Sequence, residues 1–409
     1  MPLRLHHWLP PMPPVFTYFN HGTAFHRDKE GEIVAEFGRL AAGREYEDFL
    51  ILDGPGSKPN AAPIPGQFNP FTRRKEVKST FGNSEMGHTH INWQATGLIS
   101  GSGWDDNVMH AIAAFAEVSP EPPTINMIGW SRGAVTCTKL AFKLSEIYPQ
   151  IAVNIFAVDP VAGIGNKSDE DCSVVRENVK NYLAVLSMHE TRGFFKPQDL
   201  KRVTFTSAHT NAMFLPFPGN HSGQVNLDKC CEKGIGEAAQ VVWYLGMKFL
   251  QKFGTTFIKD PSPSYSLQEM CNLYAKMQMK MPEYQRSAPG VGGGAMGGRK
   301  TRDFLARHQK EYVKHSDFFI NEHHRRVFKR AYRAIYDWVF EDRGTNPTAV
   351  LQEYKSTQNL TALNKTLEVL GFQTKPGMGA LVPIRGKGKQ QVQIRDAQLV
   401  SSLTMMGAY

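Results

Sequence analysis

Cysteine is scarce in this chain. Cys137, Cys172, Cys230, Cys231 and Cys271 are the five in 409 residues. They show no paired-ligand spacing, and the adjacent Cys230 and Cys231 suit neither a zinc site nor an ordinary bridge. The sequence therefore predicts reduced thiols and excludes a disulfide scaffold. Long apolar runs are missing too, so no segment reads as a bilayer span. The start, Met1-Pro2-Leu3-Arg4-Leu5-His6-His7, lacks the basic-then-apolar layout of a signal peptide. The expectation is synthesis in the cytoplasm without a signal peptide, with any export by a leaderless route. A nucleic-acid-binding motif is absent as well. The glycine run at 290–298 follows no apolar strand and precedes no Gly-Lys-Ser/Thr, so it reads as a hinge and not a phosphate cradle. His88-Thr89-His90 and His323-His324 have no third ligand at useful spacing. They read as surface histidines, and neither a metal nor a cofactor is expected.

What is present is enough apolar sequence for a large core. At 41% hydrophobic, the chain fits one big α/β domain with insertions, or two domains. The formal charge of +9 suits an anionic membrane surface or an acidic protein, and without a motif it does not argue for nucleic acid.

Strand signals alternate with helix signals. Val15 to Phe19 reads as a first core strand ending in Asn20-His21-Gly22-Thr23. Phe49 to Leu52 is a second, running into Asp53-Gly54-Pro55-Gly56. Residues 54–92 are rich in Pro, Gly and Asn and read as a long insertion. Asp105 to Val118 has helical spacing. Thr124 to Ile128 and Ile151 to Val158 are β-rich, Tyr182 to Ser187 and 211–217 read as later strands, and 235–253 is an amphipathic helix. Such alternation predicts an α/β fold with a mostly parallel, doubly wound sheet. The predicted organisation is a core over 1–258, a Gly-rich and basic helical region over 259–340, and a polar, peripheral segment over 341–409. In the middle region, Arg325, Arg326, Lys329, Arg330 and Arg333 stand beside Phe328, Tyr332, Ile335, Tyr336 and Trp338. One reading is a surface helix packing its aromatic face on the main domain; the other is a lid or membrane-contacting element.

The most informative stretch is Gly129-Trp130-Ser131-Arg132-Gly133-Ala134. A strand, Gly-x-Ser-x-Gly and a helix in succession make a nucleophile elbow, in which two glycines allow a sharp turn and raise the serine hydroxyl. Ser131 is the candidate nucleophile. A serine needs a base, and the base needs an orienting carboxylate. In the order Ser, acid, His, the chain offers Asp159 at the end of a strand and His221 in a Pro-Gly-Asn-His-Ser turn. The competing partners are His209, His189 and Asp228, and His189-Glu190 also reads as a structural unit ion-paired to Arg192. The oxyanion donors would be the N–H of Arg132 and that of Thr23, with Gly22 allowing close backbone approach.

With these residues placed, the chain resembles the type VI secretion phospholipase effectors, α/β-hydrolases with a Gly-Phe-Ser-Arg-Gly-Ala elbow. The matching pieces are Phe19-Asn20-His21-Gly22-Thr23, Gly97-Leu98 through Gly101-Ser102-Gly103-Trp104-Asp105-Asp106-Asn107-Val108, and the elbow. Val158-Asp159-Pro160-Val161, Ser187-Met188-His189-Glu190-Thr191-Arg192-Gly193-Phe194 and Phe217-Pro218-Gly219-Asn220-His221-Ser222 follow in order. They span roughly residues 16 to 250. Trp130 stands where the family has Phe, and Gly223-Gln224-Val225 where it has Asp and a glycine run. The resemblance implies a Ser131–Asp159–His221 triad that hydrolyses a phospholipid acyl ester. It also implies an antibacterial effector meeting an anionic membrane, with an immunity protein or secretion-apparatus component as partner. The residues alone leave two alternatives open: an esterase, thioesterase or amidase on a small soluble substrate, and a non-catalytic module that keeps the hydrolase fold.

Overall fold

A computed structural model describes residues 14–28, 31–55, 57, 67–69, 74–76, 104–118, 122–163, 169–193, 195–259, 264–288, 302, 319–341, 347–357, 363–364, 367–368, 372–374 and 381–383. His88 and His90, residues 97–103, and the glycine run at 290–298 lie outside the described residues. So does most of the 54–92 insertion, apart from Gly54, Pro55, Ser57 and two short antiparallel strands, Gln67–Asn69 and Arg74–Glu76.

Six strands form the central sheet: β1 (Val15–Asn20), β2 (Phe49–Leu52), β3 (Thr124–Trp130), β4 (Ala152–Val158), β5 (Val179–Ser187) and β6 (Asn211–Phe217). Their order across the sheet is β6-β5-β4-β3-β1-β2, and every neighbouring pair from β5 to β2 is parallel. The fold is thus mixed α/β on a mostly parallel sheet, as the strand and helix alternation predicts. Near-continuous burial along β1, β3 and β4 is what a parallel sheet covered on both faces demands. Helices α1 (Ile33–Leu40), α2 (Trp104–Ala116) and α3 (Arg132–Ile147) flank these strands in sequence. The Trp104 indole donates to Thr136 Oγ1 on α3 at 2.6 Å.

The chain divides into two compact units. The first holds residues 1–186, 194–214 and 243–262; the second holds 187–193, 215–242 and 263–409. The second unit therefore recruits two segments from within the region expected to form a single core to 258. Helix α4 (Glu237–Lys252) contributes residues to each, and in the first unit its Phe249 ring lies 5.7 Å from that of Phe156.

Inside the first unit, a polar ladder crosses the N-terminal half of the sheet. Asn154 Nδ2 donates to Asn126 Oδ1 (2.9 Å), Asn181 Nδ2 to Asn154 Oδ1 (2.7 Å) and Asn211 Nδ2 to Asn181 Oδ1 (3.2 Å). Asn126 in turn donates to Thr255 Oγ1 (2.9 Å), whose hydroxyl meets that of Thr17 at 2.8 Å. Thr17, Asn126 and Asn154 are buried. A one-residue slip of any strand would strand these amides in apolar surroundings, so the ladder pins the register of strands that are otherwise mostly apolar.

The second unit is built from α5 (Leu267–Met279), α6 (Met281–Arg286), α7 (Glu322–Ala331), α8 (Arg333–Tyr336) and α9 (Pro347–Ser356). A Ser266–Glu269 capping box starts α5. Phe328, Tyr332, Ile335 and Tyr336 are buried, so the aromatic face of the basic region is covered. Its charges are largely answered locally: Arg325 and Arg326 bind Glu322 at 2.7 and 2.8 Å, Lys329 pairs with Glu341, and Arg333 binds Asp337 at 2.7 Å. Two expectations need correction here. His324 is not a surface residue; it is fully buried, its ring stacked on Tyr274 at 4.3 Å, and Tyr274 Oη lies 2.7 Å from His323 Nδ1. Burial pushes His323 down to about 4 and His324 well below its usual value. Nor is the segment after 341 merely peripheral, since Val350, Leu363 and Leu367 are buried.

Candidate active site

In the first unit, β3 turns into α3 through Ser131, whose φ and ψ are 55° and −127°. A side-chain-bearing residue rarely occupies that region, and it costs on the order of 1–3 kcal/mol to hold one there. The turn is possible because Gly129 and Gly133 face each other: a Cβ on Gly129 would run into the Gly133 carbonyl, and one on Gly133 into that of Asn20. The Ser131 N–H donates to Val158 O (3.0 Å), while its carbonyl accepts from the Val161 N–H (3.2 Å).

Asp159 ends β4. The register pairs Trp130 with Val158, so Ser131 and Asp159 are the next residues on adjacent parallel strands. Asp159 is fully buried and also sits at positive φ, 41°. Among the described residues, four non-glycine residues have positive φ, and these two share one edge of the sheet. The elements thus bring Ser131 and Asp159 together at the C-terminal strand ends, where α/β sheets carry ligands.

The candidate oxyanion turn follows β1. Its Gly22 makes room for the Trp130 indole, since a Cβ there would lie 2.7 Å from that ring. The Arg132 side chain reaches the same turn, with Nη1 donating to Thr23 Oγ1 at 3.1 Å. Two supports of this turn come from residues that no sequence motif marks. His21 Nδ1 lies 3.1 Å from Glu32 Oε2, both residues buried, and Glu32 also caps α1 through the Val34 and Ala35 amides. Arg27 binds Asp53 through its backbone N–H (2.8 Å) and Glu45 through Nη1 (3.1 Å).

In the second unit, His221 opens a short 3₁₀ turn, His221–Gln224, capped by Asn220 Oδ1, which accepts from the Gly223 N–H at 3.0 Å. The residue is buried, and its backbone N–H donates to Glu190 Oε2 at 3.3 Å. Glu190 is held by Arg192 through three donors at 2.8 to 2.9 Å, the ion pair anticipated for this dipeptide. Burial pushes the Glu190 carboxyl up, but the Arg192 hydrogen bonds and charge, with His221 adding to them, leave it below its usual value. His189 accepts the Gly219 N–H on Nδ1 at 3.0 Å, and burial pushes it down to about 4. Its lone pair therefore fixes the turn before His221, a structural task that competes with service as a general base. The other competitors are poorly placed for one: His209 and Asp228 are exposed.

All five cysteines are free thiols, four of them buried. Asp169, Asp171 and Cys172 are the one group with metal-ligand proximity among the described residues. A cation already stands there, since Lys139 Nζ binds Asp171 at 3.0 Å and Asp105 at 2.9 Å.

Comparison with known proteins adds little beyond this geometry. No curated protein matches the chain. A solved structure, the crystal structure of an uncharacterized protein from Pseudomonas aeruginosa, is 13% identical with a TM-score of 0.35. That match covers 86% of this chain and 63% of the other, so the chain spans less than two thirds of that protein's length. Residues 266–367, where no family resemblance was evident in the sequence, match a family model described as a domain of unknown function, DUF5621.

Proposed function

We propose that this protein is a serine hydrolase with an α/β-hydrolase core, cleaving an acyl ester of a phospholipid. The observation that carries the reading is the strained Ser131 at a strand-to-helix turn, with Asp159 beside it in register. Strain of this kind persists where the surrounding structure enforces it, and it clusters at functional sites. From the chain order Ser, acid, His and the resemblance to the type VI phospholipases, Ser131 is read as the nucleophile, His221 as the base and Asp159 as the carboxylate that orients the imidazole. The Ser131 hydroxyl would give its proton to His221 as Oγ attacks the acyl carbonyl. The tetrahedral oxyanion would accept hydrogen bonds from the N–H groups of Arg132 and Thr23, and the Arg132 amide stands at the N-terminus of α3, which favours negative charge. His221 would return the proton to the leaving alcohol, and water activated by the same imidazole would release the acid. The phospholipid substrate and delivery as an antibacterial secreted effector rest on the resemblance of the six sequence blocks to the type VI phospholipases.

The test is fatty-acid release from mixed anionic and zwitterionic phospholipid vesicles, and from a short soluble ester, by wild type, Ser131→Ala and His221→Asn. Lipid hydrolysis that both substitutions abolish is the expected result. Cleavage of the soluble ester alone would shift the substrate to small esters, and no Ser131-dependent turnover on either would overturn the reading.

A further inference from the structure

Both chain neighbours of the candidate nucleophile grip the turn after β1. Trp130 places its indole against Gly22, and the same ring meets Phe25 edge-on at 4.8 Å. Arg132 lies on the other side of Ser131. Its side chain crosses to Thr23 Oγ1 through Nη1 (3.1 Å) and to the Ala162 carbonyl through Nε (3.3 Å). Ala162 belongs to the loop that leaves Asp159, and Gly163, at φ 85°, has no side chain where the guanidinium lies. One buried cation therefore spans the elbow, the turn after β1 and the loop after β4. Burying a guanidinium costs several kcal/mol of desolvation unless hydrogen bonds offset it, and here burial pushes the group down from its usual value. The turn that it holds is itself under tension, since Ala24 has φ 63°. Such a residue needs the surrounding structure to keep it in place.

We propose that the Arg132 side chain is a positioning residue, fixing Thr23 relative to Ser131 and the loop after Asp159 so that the oxyanion donors are set before substrate arrives. The inference rests on the serine-hydrolase reading and deepens it. The side chain and the backbone N–H of Arg132 act separately: replacing the former leaves the latter as an oxyanion donor. Arginine is required over lysine because two acceptors are met at a fixed angle by one planar group, which an ammonium on a flexible stem does not reproduce.

The experiment measures kcat and KM on a short soluble ester for wild type, Ser131→Ala, Arg132→Ala, Arg132→Lys, Thr23→Val, Thr23→Ser and the Arg132→Ala/Thr23→Val double variant. Misplacement of the donors by about 1 Å predicts a kcat loss of up to about 10²-fold in Arg132→Ala, with KM moved by less than about threefold. Arg132→Lys recovers little. Thr23→Val loses part of kcat, and Thr23→Ser recovers most of that loss by restoring the acceptor. Because both substitutions cut one contact, the double variant is no worse than Arg132→Ala alone. An unchanged kcat in Arg132→Ala, an effect carried by KM, or additive losses in the double variant would overturn the proposal. Should Arg132→Ala not fold, the Thr23→Val and Thr23→Ser pair decides alone, equal rates counting against it. Turnover that survives Ser131→Ala sinks the hydrolase reading itself; Ser131-dependent turnover indifferent to positions 132 and 23 sinks only the clamp.

Discussion

At their C-terminal ends, β3 and β4 run into Ser131 and Asp159, side-chain-bearing residues at φ 55° and 41°. Near the other end of the same two strands, Asn126 and Asn154 sit in relaxed extended backbone with their amides joined at 2.9 Å. Both ends are buried and polar, yet only one is strained. The ladder end satisfies its polar groups across the sheet and specifies register. The elbow end holds two side-chain-bearing residues at positive φ, and the cost is borne by the packed sheet behind it. Stability and candidate chemistry are thus placed at opposite ends of one set of strands.

The largest effect that sharpens this contrast is Ser131→Ala. Ester hydrolysis falls by at least about 10⁴-fold if the residue is the nucleophile, while the unfolding free energy shifts by less than about 0.5 kcal/mol, because the Cβ and the backbone stay. Steady-state kinetics and urea titration on the same preparation check both halves. Next is Asn154→Ala, which leaves the buried Asn126 Oδ1 without its donor and Asn181 Nδ2 without its acceptor. A loss of about 2–3 kcal/mol is expected. Specific activity per folded molecule should stay unchanged, and a proportional loss of activity would break the separation of the two ends.

Acid supplies a third probe. The ladder has no ionisable group, so the Asn154→Ala deficit should be the same at pH 7 and pH 5. Overall stability should not be, because burial holds His110 down to about 3 and His189 and His323 down to about 4, against an ordinary 6.5; a nearby Arg27 charge adds to the His110 shift, and Arg326 to that of His323. The unfolded chain takes up protons near 6.5 that the folded chain refuses until about pH 4. Stability is therefore full above the unfolded value and falls as pH drops through that window. Urea midpoints at pH 7, 6 and 5 should decrease in order, and a flat series would contradict the neutral buried histidines. The smallest expected effect is a gain: Ser131→Gly relieves the positive φ and should stabilise the fold by about 1 kcal/mol while abolishing turnover. A destabilised Ser131→Gly would show that the elbow is not under strain.

Much of the first unit was legible in the chain. Apolar runs marked β1, β2, β3 and β4, and Gly-x-Ser-x-Gly between a strand and a helix marked the elbow, because glycine placement answers directly to backbone geometry. The ladder is not legible there, although Thr17, Asn126, Asn154 and Asn181 each stand third in their strands. Their partners are strands away, and an asparagine inside a strand carries no sign of which neighbour satisfies it. His323 and His324 look exposed in the sequence for a similar reason. The Tyr274 ring that covers them is some fifty positions earlier, on α5.

The sequence by itself determined the features set by near neighbours: the alternation of strands and helices, the sharp turn at Ser131, and the Glu190–Arg192 pair. These depend on propensity, steric exclusion and reach over a few residues. Only the tertiary structure decided that Arg132 binds Thr23, 109 positions away, that four asparagines join into one ladder, and that His189 spends its lone pair on the Gly219 N–H. Each needs a long loop closed and a polar group desolvated at once. Such pairings become favourable when packing of the whole unit supplies that free energy, which no short stretch of sequence encodes.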